Sequence, residues 1–284
     1  MKVLITGSQG QLGQDLVRVL ERNHEVVPTH RGNLDFTNYG QVQEVLKSAR
    51  PDVVVHAGAY TAVDQAESDV DTAYLVNAFG TRNLAVSAEK IHAKFCYIST
   101  DYVFDGTAQT PYKEFDPTNP QTVYGRSKLA GERFAESLSS RHYVVRTSWV
   151  YGAHGKNFVK TMLELGRRGT PLKVVDDQVG SPTHTYDLAV FLNELITTEL
   201  YGVYHASNGG RCSWYEFAQA IFAEARMSPQ LEPCTTDKFS RPAPRPGYSV
   251  LDNMAIRVNG LSPLPEWRET LHDFIAANLP ADPE

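Results

Sequence analysis

Two short segments carry side chains that could move a proton. In YGRSK, Tyr124 and Lys128 stand four residues apart, and STDYVFDG runs from Ser99 to Gly106. Residues four apart on a helix share one face. A neighbouring ammonium favours phenolate over phenol and so lowers a tyrosine's pKa. A tyrosine tuned in that way can hand its proton to a carbonyl oxygen during reduction. Thr100 would hydrogen-bond the same oxygen or position Tyr124. The bland alternatives are a solvated helix pair and a threonine that caps a loop.

A third segment, GSQGQLG, spaces Gly7, Gly10 and Gly13 three apart, between a strand-like run and a helical one. This is a relative of the dinucleotide fingerprint. Gly7 would permit the tight turn, Gly10 the close approach of a pyrophosphate, and Gly13 close packing of helix on sheet. Unpaired N–H groups at the helix start, around Gln11 and Leu12, would face the phosphates. After the second strand stand Thr29, His30 and Arg31, where a reader of NAD wants Asp or Glu. Arg31 could neutralise a 2′-phosphate, which favours NADPH, with NADH use left open; otherwise it is a solvated loop cation. Asp35, beside Phe36, is too far along for the usual ribose carboxylate and is read at the adenine edge. In HAGAYT, the small residues Ala57, Gly58 and Ala59 fall where the sheet's carboxyl edge would pass the cofactor.

These groups need a scaffold, and the first 150 residues supply its rhythm. Strands are predicted at Val3–Thr6, Glu25–Pro28, Val53–His56, Lys94–Ser99 and Tyr143–Thr147. Helices are predicted at Leu12–Glu21, Tyr39–Ser48, Ala66–Glu89 and Ser127–Ser139. Such alternation indicates an α/β fold with a doubly wound parallel sheet, Rossmann-like, with right-handed crossovers. After residue 150 the rhythm weakens: helices are read at Phe158–Arg168, Tyr186–Leu195, Trp214–Ala225 and Trp267–Asn278, strands at Leu172–Val175 and Gly202–Ala206. Ser213 caps the third of these helices in an imperfect box with Glu216. Pro229–Pro246 is read as a structured loop lying on the preceding domain, and PADPE at the end as frayed. The division is residues 1–150 for the dinucleotide and 151–284 mainly for a smaller α/β substrate lobe, some segments returning to the first.

With 284 residues, 42% apolar and 21% charged, the chain is long enough for a substantial core. Its 27 Lys and Arg against 33 Asp and Glu give a net charge of −6, which argues against a general binder of nucleic acid or acidic membrane. Three cysteines make no disulfide framework, so a reducing, cytoplasmic location is expected. The first strand-like run begins at Lys2, leaving no room for a signal peptide, and no apolar run reaches the ~18 residues of a membrane span.

Taken together, GSQGQLG, HAGAYTAVDQAE, STDYVFDG, VYGRSKLAGE, RTSWVYG, NFVKTML, VVDDQVGSPT and RPGYSVLDN resemble the extended short-chain dehydrogenase/reductase superfamily. Within it they resemble the dTDP-4-dehydrorhamnose reductase family over essentially the full chain. The resemblance implies NADPH-dependent reduction of the 4-keto group of a dTDP-4-keto-6-deoxy sugar, giving dTDP-L-rhamnose. It places a catalytic triad on Thr100, Tyr124 and Lys128, with Lys128 also on the nicotinamide ribose, and Ser99 and Thr61 beside the nicotinamide. It puts Trp149 against the sugar, with Asp101, Tyr102, Val103 and Phe104 in the substrate set. Ser181, Pro182 and Thr183, with Arg245, would shape the nucleotide-sugar side, where arginine can pair with phosphate. Asn77 falls at a cofactor-side or structural polar position.

Related 4,6-dehydratases carry Asp-Glu after the threonine. Here Asp101 and Tyr102 follow, so the acid/base needed for water elimination is missing. An epimerase, which retains NAD, is disfavoured by Arg31. Some family members are dimers bridged by Mg²⁺; the corresponding positions, Asp15 and near Tyr186 and Asp187, form an incomplete carboxylate set, so no metal is expected. His56 and Gly58 depart from the usual block. A monomer or homodimer is expected. The alternatives are reduction of a related 4-keto nucleotide sugar, and a non-catalytic dinucleotide-binding subunit like the regulatory subunit of methionine adenosyltransferase; an intact Thr100/Tyr124/Lys128 set argues against the latter.

Overall fold

Strands that are apolar at consecutive positions are covered on both faces, and β1 (Lys2–Thr6) is of this kind. In the computed structural model, which describes residues 1–239 and 241–278, Val3 and Ile5 enter one core while Leu4 enters another across the sheet. The first half continues with α1 (Gln11–Leu20), β2 (Glu25–Pro28), α2 (Tyr39–Ala49), β3 (Val53–His56), α3 (Val63–Ala66), α4 (Val70–Tyr74), α5 (Thr81–Lys90), β4 (Lys94–Thr100), α6 (Val123–Leu138) and β5 (His142–Thr147). The same alternation runs through Val53, Val54 and Val55, and through Tyr143, Val144 and Val145. The second half holds β6 (Val150–Tyr151), α7 (Phe158–Arg167), β7 (Leu172–Val175), β8 (Val179–Gly180), β9 (Thr183–His184), α8 (Thr185–Leu195), β10 (Gly202–His205), β11 (Cys212–Ser213), α9 (Trp214–Glu224), β12 (Leu231–Cys234), α10 (Met254–Val258) and α11 (Trp267–Asn278).

Among the described residues the central sheet has six strands, all parallel, in the order β10-β5-β4-β3-β1-β2. From β1 the chain moves outward to β2 and then returns to the other side as β3. The carboxyl ends of β1 and β3 therefore border the point where the winding reverses, and open α/β sheets bind ligands in that crevice. One face is closed by α1 and α8, whose Leu16, Leu20, Leu188 and Leu192 are fully buried; α2, α5 and α6 close the other. This is the doubly wound sheet read from the sequence.

A smaller α/β lobe has its own apolar cluster, in which Phe217 and Ile221 of α9 meet Val159 of α7 and Leu271 of α11. Its Ser213 forms a complete capping box, not an imperfect one: Glu216 N donates to Ser213 Oγ at 3.0 Å, and Ser213 N donates to Glu216 Oε2 at 2.8 Å. The segment Pro229–Pro246 contains β12, which pairs in parallel with β7. Beyond it, Ala243 and Arg245 bond Asp64 of the first half. The fraying read for PADPE lies outside the described residues. No helix among those residues is long and apolar enough to cross a membrane.

Two predicted helices are corrected. Ala66–Glu89 is not one helix: α3, α4, a π-helical turn over Leu75–Gly80 and α5 share the span. The wide turn carries Asn77, whose side chain bonds both backbone groups of Tyr60, and Gly80, where a Cβ would sit 2.5 Å from Phe36. The helix read as Ser127–Ser139 starts four residues earlier, because Thr122 Oγ1 accepts from Gly125 N at 2.9 Å and caps it. Tyr124 thus lies in its first turn.

Phe217 is fully buried between α7 and α11. Phe217→Ala should destabilise the protein by about 3–5 kcal/mol. Urea denaturation checks this, and a loss below about 1 kcal/mol would contradict the assignment of a separate core to this lobe.

Candidate active site

The glycine turn is built by close contact. Gly7 has φ +66°, and a Cβ there would lie 2.8 Å from the Gly58 backbone. A Cβ on Gly13 would lie 2.1 Å from the carbonyl oxygen of Gly7, so α1 can approach the sheet only through glycine. Gly10 N donates to Gly7 O at 2.8 Å and closes the turn. Among the described residues no side chain caps α1, and its first N–H groups, at Gln11 and Leu12, stand at the mouth of a cleft. Partial positive charge at a helix start favours an anion there.

The cleft encloses about 1290 Å³, more than the roughly 300–1,000 Å³ of a site for one drug-sized molecule. It has room for two ligands side by side. Gly7, Gly10, Gln11 and Leu12 floor one end, with Arg31, Asp35 and Phe36 beyond β2. Ala57, Gly58, Ala59 and Thr61 follow β3 along its edge. Arg31 is exposed and has no ion-pair partner among the described residues. The Asp35 carboxylate caps its own turn, with Oδ1 accepting from Thr37 N at 3.0 Å and Thr37 Oγ1 at 2.7 Å. A glycine cradle that any Cβ would fill, a capless helix start and an unpaired arginine fit a dinucleotide with an extra phosphate.

At the other end Ser99, Thr100, Asp101 and Tyr102 leave the tip of β4 and meet Tyr124 and Lys128 of α6. Lys128 is 3% exposed; its Nζ donates to Ile98 O at 2.7 Å and sits 4.1 Å from the Tyr97 ring centre. Burial pulls its pKa down to about 7, against the raising influence of the Glu132 carboxylate. The phenol of Tyr124 is pushed up to about 12 by desolvation, with the neighbouring Thr100 hydroxyl working against it and the Asp101 charge with it. The four-residue spacing predicts that Lys128 lowers the tyrosine; in the protein alone, burial raises it instead. Thr100 Oγ1 donates to Asp101 Oδ1 at 3.0 Å and accepts from Tyr102 N at 3.2 Å. Burial raises the Asp101 carboxyl to about 6, while the hydrogen bond from Thr100 and the nearby Ser249 hydroxyl oppose the rise.

The facing wall comes from the smaller lobe. Trp149, at φ +46°, stacks on Trp214 with ring centres 3.5 Å apart and planes 7° from parallel. Both rings line the cleft, as does Arg245, whose Nη2 pairs with Asp64 Oδ2 at 2.8 Å. Trp214 and Asp64 were not singled out in the sequence, which holds no local signal for contacts between distant segments.

Five expected substrate contacts are corrected. Val103 and Phe104 lie in a small core, with Phe104 stacked 4.2 Å from the Tyr112 ring. After Thr100 the chain turns inward as a short 3₁₀ segment, Asp101–Val103, and so removes both from the cleft. Ser181 is buried with its Oγ donating to Gly210 O at 2.8 Å; Pro182 and Thr183 are buried beside it, none lining the cleft. Asn77 is structural, its Nδ2 donating to Tyr60 O and Ser127 Oγ. Asp15 accepts from Thr185, and Asp187 from Asn208 and Thr270. Among the described residues no cluster of three or more His, Cys, Asp or Glu could hold a metal.

A parallel sheet reversed between β1 and β3, a glycine turn under that crevice and a Tyr-x-x-x-Lys helix on the same edge define an extended short-chain dehydrogenase/reductase. More narrowly, the chain belongs to the family described as the RmlD substrate binding domain, which matches residues 1–279. It is 43% identical over 282 residues to the dTDP-4-dehydrorhamnose reductase of Streptomyces griseus, covering 96% of this chain and 93% of the relative. It is 42% identical over 275 residues to the spore coat polysaccharide biosynthesis protein SpsK of Bacillus subtilis, covering 96% of each. The crystal structure of dTDP-4-dehydrorhamnose reductase from Bacillus anthracis in complex with NADP superposes with a TM-score of 0.96 at 46% identity, over 98% of this chain and 99% of that one.

Gly13→Ala forces the helix off the turn and should cost at least about 2 kcal/mol of stability, as overpacking does. A urea midpoint equal to wild type would show that the close approach of α1 is not required.

Proposed function

We propose that this protein reduces the 4-keto group of dTDP-4-dehydro-6-deoxy-L-mannose to give dTDP-L-rhamnose, using NADPH. The observation that carries the proposal is the continuity of one cleft. A phosphate-accepting glycine turn and Arg31 occupy one end, and Thr100, Tyr124 and Lys128 face a tryptophan wall at the other. The reductases named among its relatives, and the NADP complex of a structure so similar, support the same reading.

Bound NADPH supplies the hydride for C4 of the sugar. Tyr124 gives its phenolic proton to the oxygen that becomes the hydroxyl, and Thr100 holds that oxygen and the phenol in line. Lys128 stabilises the phenolate left behind, and solvent returns the proton. The Trp149–Trp214 stack walls the sugar's side of the cleft, and Arg245, oriented by Asp64, reaches the nucleotide's phosphates. Arg31 takes the 2′-phosphate. No glutamate follows Asp101, so water elimination lacks its acid/base. The thiols of Cys96, Cys212 and Cys234 are free, which supports assignment to a reducing, cytoplasmic compartment.

Mixing the protein with the 4-keto-6-deoxy-L-lyxo nucleotide sugar and following cofactor absorbance tests this reading; consumption of neither NADPH nor NADH overturns it. In the same assay Tyr124→Phe should lower kcat at least about a hundredfold with little change in cofactor affinity; unchanged turnover removes Tyr124 as the acid. Arg31→Ala should raise KM for NADPH about tenfold or more and leave that for NADH unaltered, because a charge-assisted contact is lost. Equal effects on both cofactors would contradict a 2′-phosphate role.

A further inference from the structure

Glu132 follows Lys128 by four residues, as Lys128 follows Tyr124, so the three share one face of α6. Unlike the other two, Glu132 does not line the cleft, and it is 1% exposed. Its carboxylate is held in a fork by Arg146 of β5: Nε donates to Oε1 at 3.0 Å and Nη2 to Oε2 at 2.8 Å. Ser99 of β4, the register partner of Arg146, donates its hydroxyl to the same Oε1. Arg146 spends its remaining Nη1 on Glu114 O at 3.1 Å and lies over the Phe104 ring. Neighbouring His205 is neutral, its pKa pushed down to about 3 by burial and by Arg146, so the pair is not diluted by a third charge.

A buried ion pair is a poor device for stability, since well-packed apolar side chains often do as well or better. Its orientation gives it another use. The Lys128 ammonium is buried with one carbonyl acceptor, Ile98 O, and the Tyr97 ring. The other ionisable groups around it are Tyr124 above and His56 of β3, which burial and Lys128 itself keep neutral. The carboxylate of Glu132 is the charge that favours the ammonium.

We propose that Glu132 is a positioning residue of the site: pinned by Arg146 and Ser99, its carboxylate stands behind Lys128 as a fixed negative charge and keeps the ammonium charged beneath Tyr124. The same bonds tie the tip of β4, which carries Thr100, to the helix that carries Tyr124. The catalytic consequence rests on the reductase reading; the charge state of Lys128 does not.

The test follows the titration of Lys128 by NMR in protein labelled at lysine ¹³Cε, the resonance being assigned by its loss in Lys128→Met. Wild type is compared with Glu132→Gln and with Glu132→Gln/Arg146→Met. The double variant leaves no buried guanidinium unpaired and keeps an acceptor for Ser99, so it is the folded control should the single variant unfold. In both, the Lys128 midpoint should fall by at least about one pH unit, a tenfold change in its protonation equilibrium. The ammonium is then lost at lower pH, so the alkaline limb of kcat moves down while KM for NADPH changes little. A midpoint within about 0.3 unit of wild type in the folded double variant overturns the proposal. A shifted midpoint in a protein whose wild type does not reduce the sugar supports the charge-holding role and overturns the reductase reading instead.

Discussion

A lysine buried one helical turn from Tyr124 is the constraint around which the rest of this molecule is arranged. Burial alone drives an ammonium toward its neutral form, and Lys128 is almost wholly shielded. It is held by a strand carbonyl below, an aromatic ring beside it and a carboxylate one helical turn further on. Those groups come from β4 and α6, and the carboxylate's own anchor comes from β5. Three elements must therefore be in register before the site has the right charge. The parallel pairing of β4 with β5 places Ser99 opposite Arg146 and supplies that register.

The same sheet solves the problem of holding two ligands. Reversal of the winding between β1 and β3 opens a crevice at the carboxyl edge, floored by the glycine turn. The chain then enters a second lobe with its own core, returns to the sheet as α8 and β10 beside β5, and re-enters the lobe as α9 and α11, so the lobe is tied to the sheet more than once. Arg245 and Ala243 add a further tie through Asp64. Trp149 and Trp214 consequently face Tyr124 across one continuous space. The two sides of the cleft are separated by architecture: the sheet's edge carries Thr100, Tyr124 and Lys128, and the lobe supplies Trp214 to the opposite wall.

Much of this was legible in the sequence where function depends on local spacing. Three glycines at a strand–helix junction, and a tyrosine and lysine one turn apart, state their geometry without help from distant residues. The parallel sheet was legible as a class because consecutive valines imply burial on both faces. What could not be read depends on contacts between remote segments. Trp214 becomes part of the site only because α9 packs it on Trp149, and Phe104 leaves the site only because Tyr112 gives it a stacking partner. The break in the helix read over Ala66–Glu89 answers to Phe36, forty-four residues before Gly80. Glu132 lies between: its four-residue spacing from Lys128 is visible, but a partner on β5 is not.

Whether these groups serve reduction at a sugar carbon is measured most directly with NADPH deuterated at its transferable position. Incubated with the 4-keto-6-deoxy-L-lyxo nucleotide sugar, the protein should yield dTDP-L-rhamnose whose C4 carries the deuterium, as read by NMR of the product. A product whose C4 hydrogen comes from water, or an unchanged sugar beside intact cofactor, would contradict it.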